Sequence, residues 1–113
     1  MKITVQSIHF TADKRLLEFV DKKLAKMEQF YDHLIDGSVF LKLDKAENES
    51  NKIVEVKLNL PGNVLFVKEQ CKTFEEAMDL AVDSLAKQLK RHKEKEREKD
   101  YAKEAMIFDE MAD

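Results

Sequence analysis

Apolar and polar residues alternate at the start of the chain. Residues 2–8, KITVQSI, follow a two-residue period and are rich in β-branched side chains, which predicts a first strand. A helical period follows and predicts a helix that begins at an N-cap, Thr11, and runs to about Asp32. The apolar residues that recur at helical steps and form its predicted buried stripe are Leu17, Val20, Leu24, Met27 and Tyr31.

Three further strand patterns lie between the two helices. Segment 54–60 alternates apolar with polar residues, as strands with one buried face do, and segment 39–43 has Val or Leu at every second position. A tight turn is predicted at Pro61-Gly62, because Pro fixes φ and Gly adopts a positive φ without steric cost. In the last strand, 64–71, both alternating sets begin with apolar residues, so the pattern leaves open which set faces the core.

A second helix is predicted to begin after Thr73, which has the spacing of a capping box with Glu76. Its predicted buried stripe consists of Phe74, Ala77, Ala81, Leu85 and Leu89. The helical pattern continues well past Leu89, so the end of this helix is expected to project beyond the sheet.

The resulting order of elements is β-α-β-β-β-α. Two helices with one apolar stripe each and a four-stranded sheet predict the α+β class, as a two-layer sandwich with both helices on one face of a mixed sheet. The first connection crosses over through a helix. The first two strands are therefore expected to be parallel, and the remaining pairs antiparallel.

Charge is distributed unevenly along the 113 residues, which carry a formal net charge of −3. Residues 87–99 contain seven Lys or Arg against three Glu, whereas residues 100–113 contain five acidic residues against one Lys. We therefore divide the chain into a domain over residues 1–99 and an acidic C-terminal tail over residues 100–113, expected to be flexible or to dock onto a partner. The basic concentration at one place indicates a surface that seeks phosphate, such as RNA.

The first helix adds a second group of cations. At 100° per residue, Arg15, Lys22 and Lys26 lie within about 40° of one another on its polar face, with Lys23 beside them. Alone, this face is typical of ordinary solvated surface, and the basic end of the second helix can likewise pair with its own Glu residues. The two groups would form one stripe only if the helices pack side by side.

The sequence shows no pattern typical of membrane proteins, secreted proteins, metalloproteins or enzymes. No apolar run approaches the roughly 20 residues of a membrane helix, and the first residues lack the pattern of a signal peptide. The single cysteine, Cys71, rules out an intrachain disulfide and favours the reducing cytoplasm. His9, His33 and His92 lack metal-ligand spacing, and no acid–base pair or phosphate loop is present. We therefore expect no metal, no cofactor and no catalytic residue.

Three segments resemble the short ribosome hibernation-promoting factor and ribosome-associated inhibitor A family. They are FVDKKLAKMEQFYD (19–32), NLPGNVL (59–65) and SLAKQLKRHK (84–93). The resemblance covers roughly residues 1–99. It implies a fold like that of double-stranded RNA-binding domains, and a bacterial, non-enzymatic protein that silences translation in slow growth, stress or stationary phase. It also implies binding to the small ribosomal subunit, in the channel for messenger and transfer RNA, by a protein that is a monomer off the ribosome.

In this family, basic residues of both helices contact ribosomal RNA. Carried over by position, and extended to Lys95 in the same run, the predicted RNA-binding set is Lys22, Lys23, Lys26, Lys87, Lys90, Arg91, His92, Lys93 and Lys95. The long form's C-terminal dimerisation domain is not expected in a chain that ends at Asp113. The alternative reading is a protein-interaction module that modulates a transcription factor through its long basic helix.

Overall fold

The computed structural model describes residues 1–31, 33–44 and 50–112, with side chains described as far as Lys95. Four strands and two helices follow one another in the predicted order. They are β1 (Lys2–Ile8), α1 (Lys14–Phe30), β2 (Asp36–Leu43), β3 (Lys52–Leu60), β4 (Asn63–Cys71) and α2 (Phe74–Ala112). The α+β prediction is confirmed.

The strands form one sheet in the order β1-β2-β3-β4. β1 pairs with β2 in parallel, and β3 pairs with β2 and with β4 in antiparallel, as predicted. The β3–β4 connection is the predicted tight turn, in which Gly62 has a φ of 74°. Because a side chain at this φ meets its own backbone, glycine suits the position.

The first helix begins two residues later than predicted. Asp13, not Thr11, is the N-cap, and its side chain accepts a hydrogen bond of 2.8 Å from the Leu16 backbone N–H. The preceding residues are held by tertiary structure: His9 has a φ of 71°, and the Phe10 ring stacks on Phe74 at 4.9 Å between centroids. The residues between this contact and Asp13 are not helical.

The buried stripe of α1 is correct except at its first member. Leu17 is 36% exposed and Leu16 is 7% exposed, so the stripe lies one residue earlier than predicted at this end. Leu16 stands four residues before Val20 and eight before Leu24, so helical spacing places it on the same buried face. Val20, Leu24, Met27 and Tyr31 are buried as predicted.

The core lies between one face of the sheet and the two helices, and in the described residues it contains no buried polar side chain. In β4 it is Leu65 and Val67 that are buried, while Val64 and Phe66 face solvent on the side of the sheet that no helix covers. The register agrees, because Leu65 pairs with the buried Leu58 of β3. This settles the face that the sequence pattern left open.

The second helix begins where its capping box predicted. The Thr73 hydroxyl accepts a hydrogen bond of 3.1 Å from the Glu76 backbone N–H, and the whole predicted stripe is buried, with Met78 added to it. The helical backbone continues to Ala112. The side chains of the acidic tail, residues 100–113, lie outside the described residues, so the separate tail stays a prediction.

Candidate nucleic-acid interface

The two helices lie side by side on the sheet and run in the same direction. Near their starts, the Phe10–Phe74 stack joins the segment before α1 to α2. Further along, Lys23 Nζ lies 2.8 Å from Asp79 Oδ1, and at the end of α1 the Lys93 Nζ donates to the Phe30 carbonyl. The packing that one basic stripe requires is therefore present, and the polar faces of both helices point away from the sheet.

Six of the nine predicted RNA contacts are exposed. They are Lys22, Lys26, Lys87, Lys90, Arg91 and Lys95. On α1, Lys22 and Lys26 lie one turn apart and away from the core. On α2, helical geometry places Lys90 on the side of α1, Arg91 and Lys95 on the side of β4, and Lys87 between these two sides. The cations of α2 thus cover its whole outer surface.

Two of the predicted contacts have partners inside the protein. Lys23 is half-buried, pairs with Asp79, and lies 5.4 Å from the centroid of the Phe19 ring. Lys93 is also half-buried, with its Nζ 2.5 Å from the Phe30 carbonyl and 4.7 Å from the centroid of the Phe30 ring. Because Phe30 is the last residue of α1, Lys93 places a positive charge at the negative end of the helix dipole.

The last predicted contact, His92, lines a groove between α2 and the beginning of β4. Its ring packs edge-on against Tyr31 at 5.9 Å, and its Nδ1 lies 3.4 Å from Asn63 Nδ2. The groove has a volume of about 180 Å³. The side chains that line it are Asn63, Leu65, Gln88, Arg91, His92 and Lys95.

Sequence reasoning did not find Asn63 and Gln88 as site residues. Both carry neutral amides, and neither stands in a basic run, so no local signal marks them. Asn63 accepts a hydrogen bond of 2.8 Å from the Val64 backbone N–H, as turn residues do. Gln88 is one polar residue among several on α2. Only the packing of α2 over β4 brings the two amides to one groove.

Three further observations concern metal ligands, the single cysteine and membrane helices. In residues 1–31, 33–44 and 50–95, no three His, Cys, Asp or Glu side chains converge where they could hold a metal ion. Cys71 lies at the far end of β4 from the groove. Desolvation by burial, with smaller contributions from Glu76 and Glu69, raises the pKa of its thiol, which makes it a poorer nucleophile. Within the same part of the chain, no helix is long and apolar enough to cross a membrane.

Fold and surface together define a class of protein: a small α+β domain that presents two adjacent helices rich in Lys and Arg. The chain belongs to the family described as Sigma 54 modulation protein / S30EA ribosomal protein, whose family model matches residues 3–97. The family resemblance drawn from the sequence is therefore confirmed.

Named relatives match a stretch of similar length. The ribosome hibernation promoting factor of Pseudomonas putida is 29% identical over 96 residues, which are 85% of this chain and 90% of that protein. That of Escherichia coli K12 is 32% identical over 95 residues, or 84% of this chain and 94% of that protein. The crystal structure of the Thermus thermophilus Protein Y N-terminal domain has a TM-score of 0.70 at 28% identity, covering 81% of this chain and 99% of that one.

Proposed function

We propose that this protein is a ribosome hibernation factor that binds the small ribosomal subunit in the channel for messenger and transfer RNA. Relatives that match most of their length are named ribosome hibernation promoting factors, which supports the general role. The position of the proposed site is inferred from this protein's own surface and not from its relatives. The single observation that carries the proposed site is the pair of adjacent helices, joined by the Lys23–Asp79 ion pair, whose outer faces hold exposed Lys and Arg.

The mechanism follows from charge and shape. Lys and Arg on a rigid helical face can each contact a backbone phosphate of folded RNA and release its counterions. A compact domain held in the channel then excludes messenger and transfer RNA sterically, without bond making or breaking. The protein is accordingly a binding protein and not an enzyme. It needs no cofactor, acts in the bacterial cytoplasm when growth slows, and is a monomer off the ribosome.

The test is co-sedimentation with vacant ribosomes across a range of salt concentrations. If about five of the named cations engage phosphates, log affinity should fall with log salt at a slope of roughly −3.5 to −4.5. Reversing the charge of Lys87, Lys90 and Arg91 together should make the slope shallower by about 2 to 3 and release ribosomes for initiation. Wild-type protein that stays at the top of the gradient at every salt concentration would refute the proposal.

A matched control reverses the same number of charges on the opposite side of the molecule. Lys2, Lys57 and Lys68 are exposed on the face of the sheet that no helix covers. The control should keep most of the wild-type slope, since its lysines point away from the helical face. Equal losses from both triple variants would mean that only total charge matters and that the site assignment is wrong. Binding that survives ribonuclease and targets a protein would favour the transcription-factor alternative.

A further inference from the structure

The groove between β4 and α2 differs in kind from the rest of the basic surface. It lies on the side of α2 that faces away from α1, and its polar lining combines two neutral amides with two cations and a histidine. Gln88 reaches over the edge of the sheet, with its Nε2 3.5 Å from the Phe66 carbonyl. A surface that served only as a positive field would need no recess and no amides.

The cations at the groove suit a phosphate. Arg91 and Lys95 are both exposed and stand one turn apart on α2, so their heads can converge on one anion. A guanidinium forms two parallel hydrogen bonds to a phosphate, and its flat face also stacks on a nucleobase. An ammonium beside it adds a second positive charge without directional demands.

The amides suit the edge of a base. Asn63 Oδ1 accepts from the Val64 N–H at 2.8 Å, which orients the Nδ2 donors of Asn63 toward the groove and His92. The contacts of Gln88 Nε2 to the Phe66 carbonyl and to Ser84 Oγ are both long, at 3.5 Å, so its amide can turn toward a ligand at little cost. Planar groups with donors and an acceptor match the edges that unpaired bases expose.

The size of the groove limits what it can hold. Its volume of about 180 Å³ lies below the roughly 300–1,000 Å³ of pockets for whole small molecules, and the groove opens to solvent. It therefore fits one unit of a polymer that enters and leaves along the surface. The buried Leu65 supplies an apolar floor on which a flat ring can lie. A carboxylate side chain of an acidic peptide would use the cations but leave the floor and amides without a role.

We propose that this groove holds a single unpaired nucleotide of the bound RNA, with Arg91 and Lys95 on its phosphate and Asn63 and Gln88 on the edge of its base. This inference rests on the proposed function and adds to it a preference for unpaired over paired nucleotides at one place. The helical face grips the RNA backbone, and the groove selects where along that backbone the protein settles.

The first test is an NMR titration of the ¹⁵N-labelled full chain with three probes. A single-stranded hexaribonucleotide should shift the side-chain amide signals of Asn63 and Gln88, whereas a blunt duplex containing the same sequence should shift mainly signals from Lys22, Lys26 and Lys90. Poly-glutamate reports on attraction to any anion. If the duplex or poly-glutamate shifts the groove amides as strongly as the single strand does, the groove is not a nucleotide site.

The second test removes the amides without changing charge. Asn63→Ala combined with Gln88→Ala should lower affinity for the single strand about tenfold, as expected for two lost hydrogen bonds, and leave the salt slope unchanged. Gln6→Ala, an exposed amide on β1, is the control and should bind as wild type. Gln88→Ala alone, on the helix surface, keeps the test valid if the double variant melts early.

Ribosome co-sedimentation separates the two proposals. If the wild-type protein binds ribosomes in a salt-sensitive manner and the folded amide variants bind with wild-type affinity, the nucleotide proposal fails and the hibernation proposal stands. If the wild-type protein does not bind ribosomes but the groove amides respond to the single strand alone, the hibernation proposal fails and the nucleotide site stands. If the amide variants lose tenfold in ribosome affinity and keep the wild-type salt slope, both the hibernation proposal and the nucleotide proposal are supported.

Discussion

Lys93 is predicted to contribute mainly to stability, whereas Lys90, three residues earlier, contributes mainly to RNA binding. The two residues stand on the same helix and carry the same charge. Lys93 contacts the Phe30 carbonyl and the rings of Phe30 and Tyr31, while Lys90 is exposed. Substitution of each by Met removes the ammonium group and keeps an unbranched apolar stem of the same length, with sulfur in place of Cδ. The two variants therefore show what the same ammonium group contributes in two environments.

The magnitude follows from the contacts of Lys93. A hydrogen bond from a charged donor contributes about 1.5–3 kcal/mol when buried, and each cation–π contact about 0.5–1 kcal/mol at exposed sites. One half-buried ammonium cannot realise all of these at once, so we expect a loss of about 1–2 kcal/mol. At about 2.1 cal/mol/K of unfolding entropy per residue for 113 residues, this lowers the Tm by about 4–8 °C.

Two assays measure stability and ribosome binding for the two variants. Thermal unfolding followed by circular dichroism should show the 4–8 °C decrease for Lys93→Met and a change within about 2 °C for Lys90→Met, as for ordinary surface positions. Ribosome co-sedimentation should show the reverse, with the salt slope shallower by about 0.7–0.9 for Lys90→Met only. A Tm of Lys93→Met within 2 °C of wild type, or equal changes in slope for both variants, would refute the reasoning.

Two further predictions concern the turn and the cysteine. Gly62→Ala should lower the free energy of unfolding by about 1 kcal/mol in urea titration, because its φ of 74° strains any Cβ even though nothing lies within 4 Å of one, and Gly62→Asn should lose less. An Asn variant as unstable as the Ala variant would contradict this origin. Because burial, Glu76 and Glu69 raise the pKa of the Cys71 thiol, iodoacetamide should alkylate it with a pH midpoint above that of an ordinary cysteine. Glu76→Gln should move that midpoint down, and an unchanged midpoint would exclude the carboxylate.

The elements and their pairing could be predicted from the sequence because each is encoded locally. Val54, Val56 and Leu58 alternate with polar residues, and the period alone identifies both the strand and its buried face. The predicted start of α1 is wrong because Thr11 and Asp13 can both cap a helix, and Asp is the somewhat stronger cap. The stack of Phe10 on Phe74, just before the observed cap, joins residues far apart in sequence and therefore has no local signal.

The candidate site was predictable only in part, because some of its features are local in sequence and others depend on tertiary packing. A count of Lys and Arg finds the basic segments, but it cannot tell which cations the fold itself uses. The sequence places Lys23 beside the stripe that contains Lys26, but it does not show that this side of α1 meets Asp79. The amides of Asn63 and Gln88 carry no charge, and no sequence pattern marks them. Asn63 and Gln88 line one groove only because α2 packs beside the beginning of β4.

The contacts that join α1 to α2 also decide how the protein would associate with a partner. Lys23 with Asp79 and Lys93 with Phe30 fix the spacing of the cations before any partner arrives, so the ordering entropy is lost during folding and not during binding. A preformed charged face docks as a rigid body, and its association rate is then set by long-range attraction and falls with salt. The lifetime of the complex depends instead on short-range fit. If both proposals hold, mutations on the helical face should change mainly the association rate, and mutations in the groove mainly the dissociation rate.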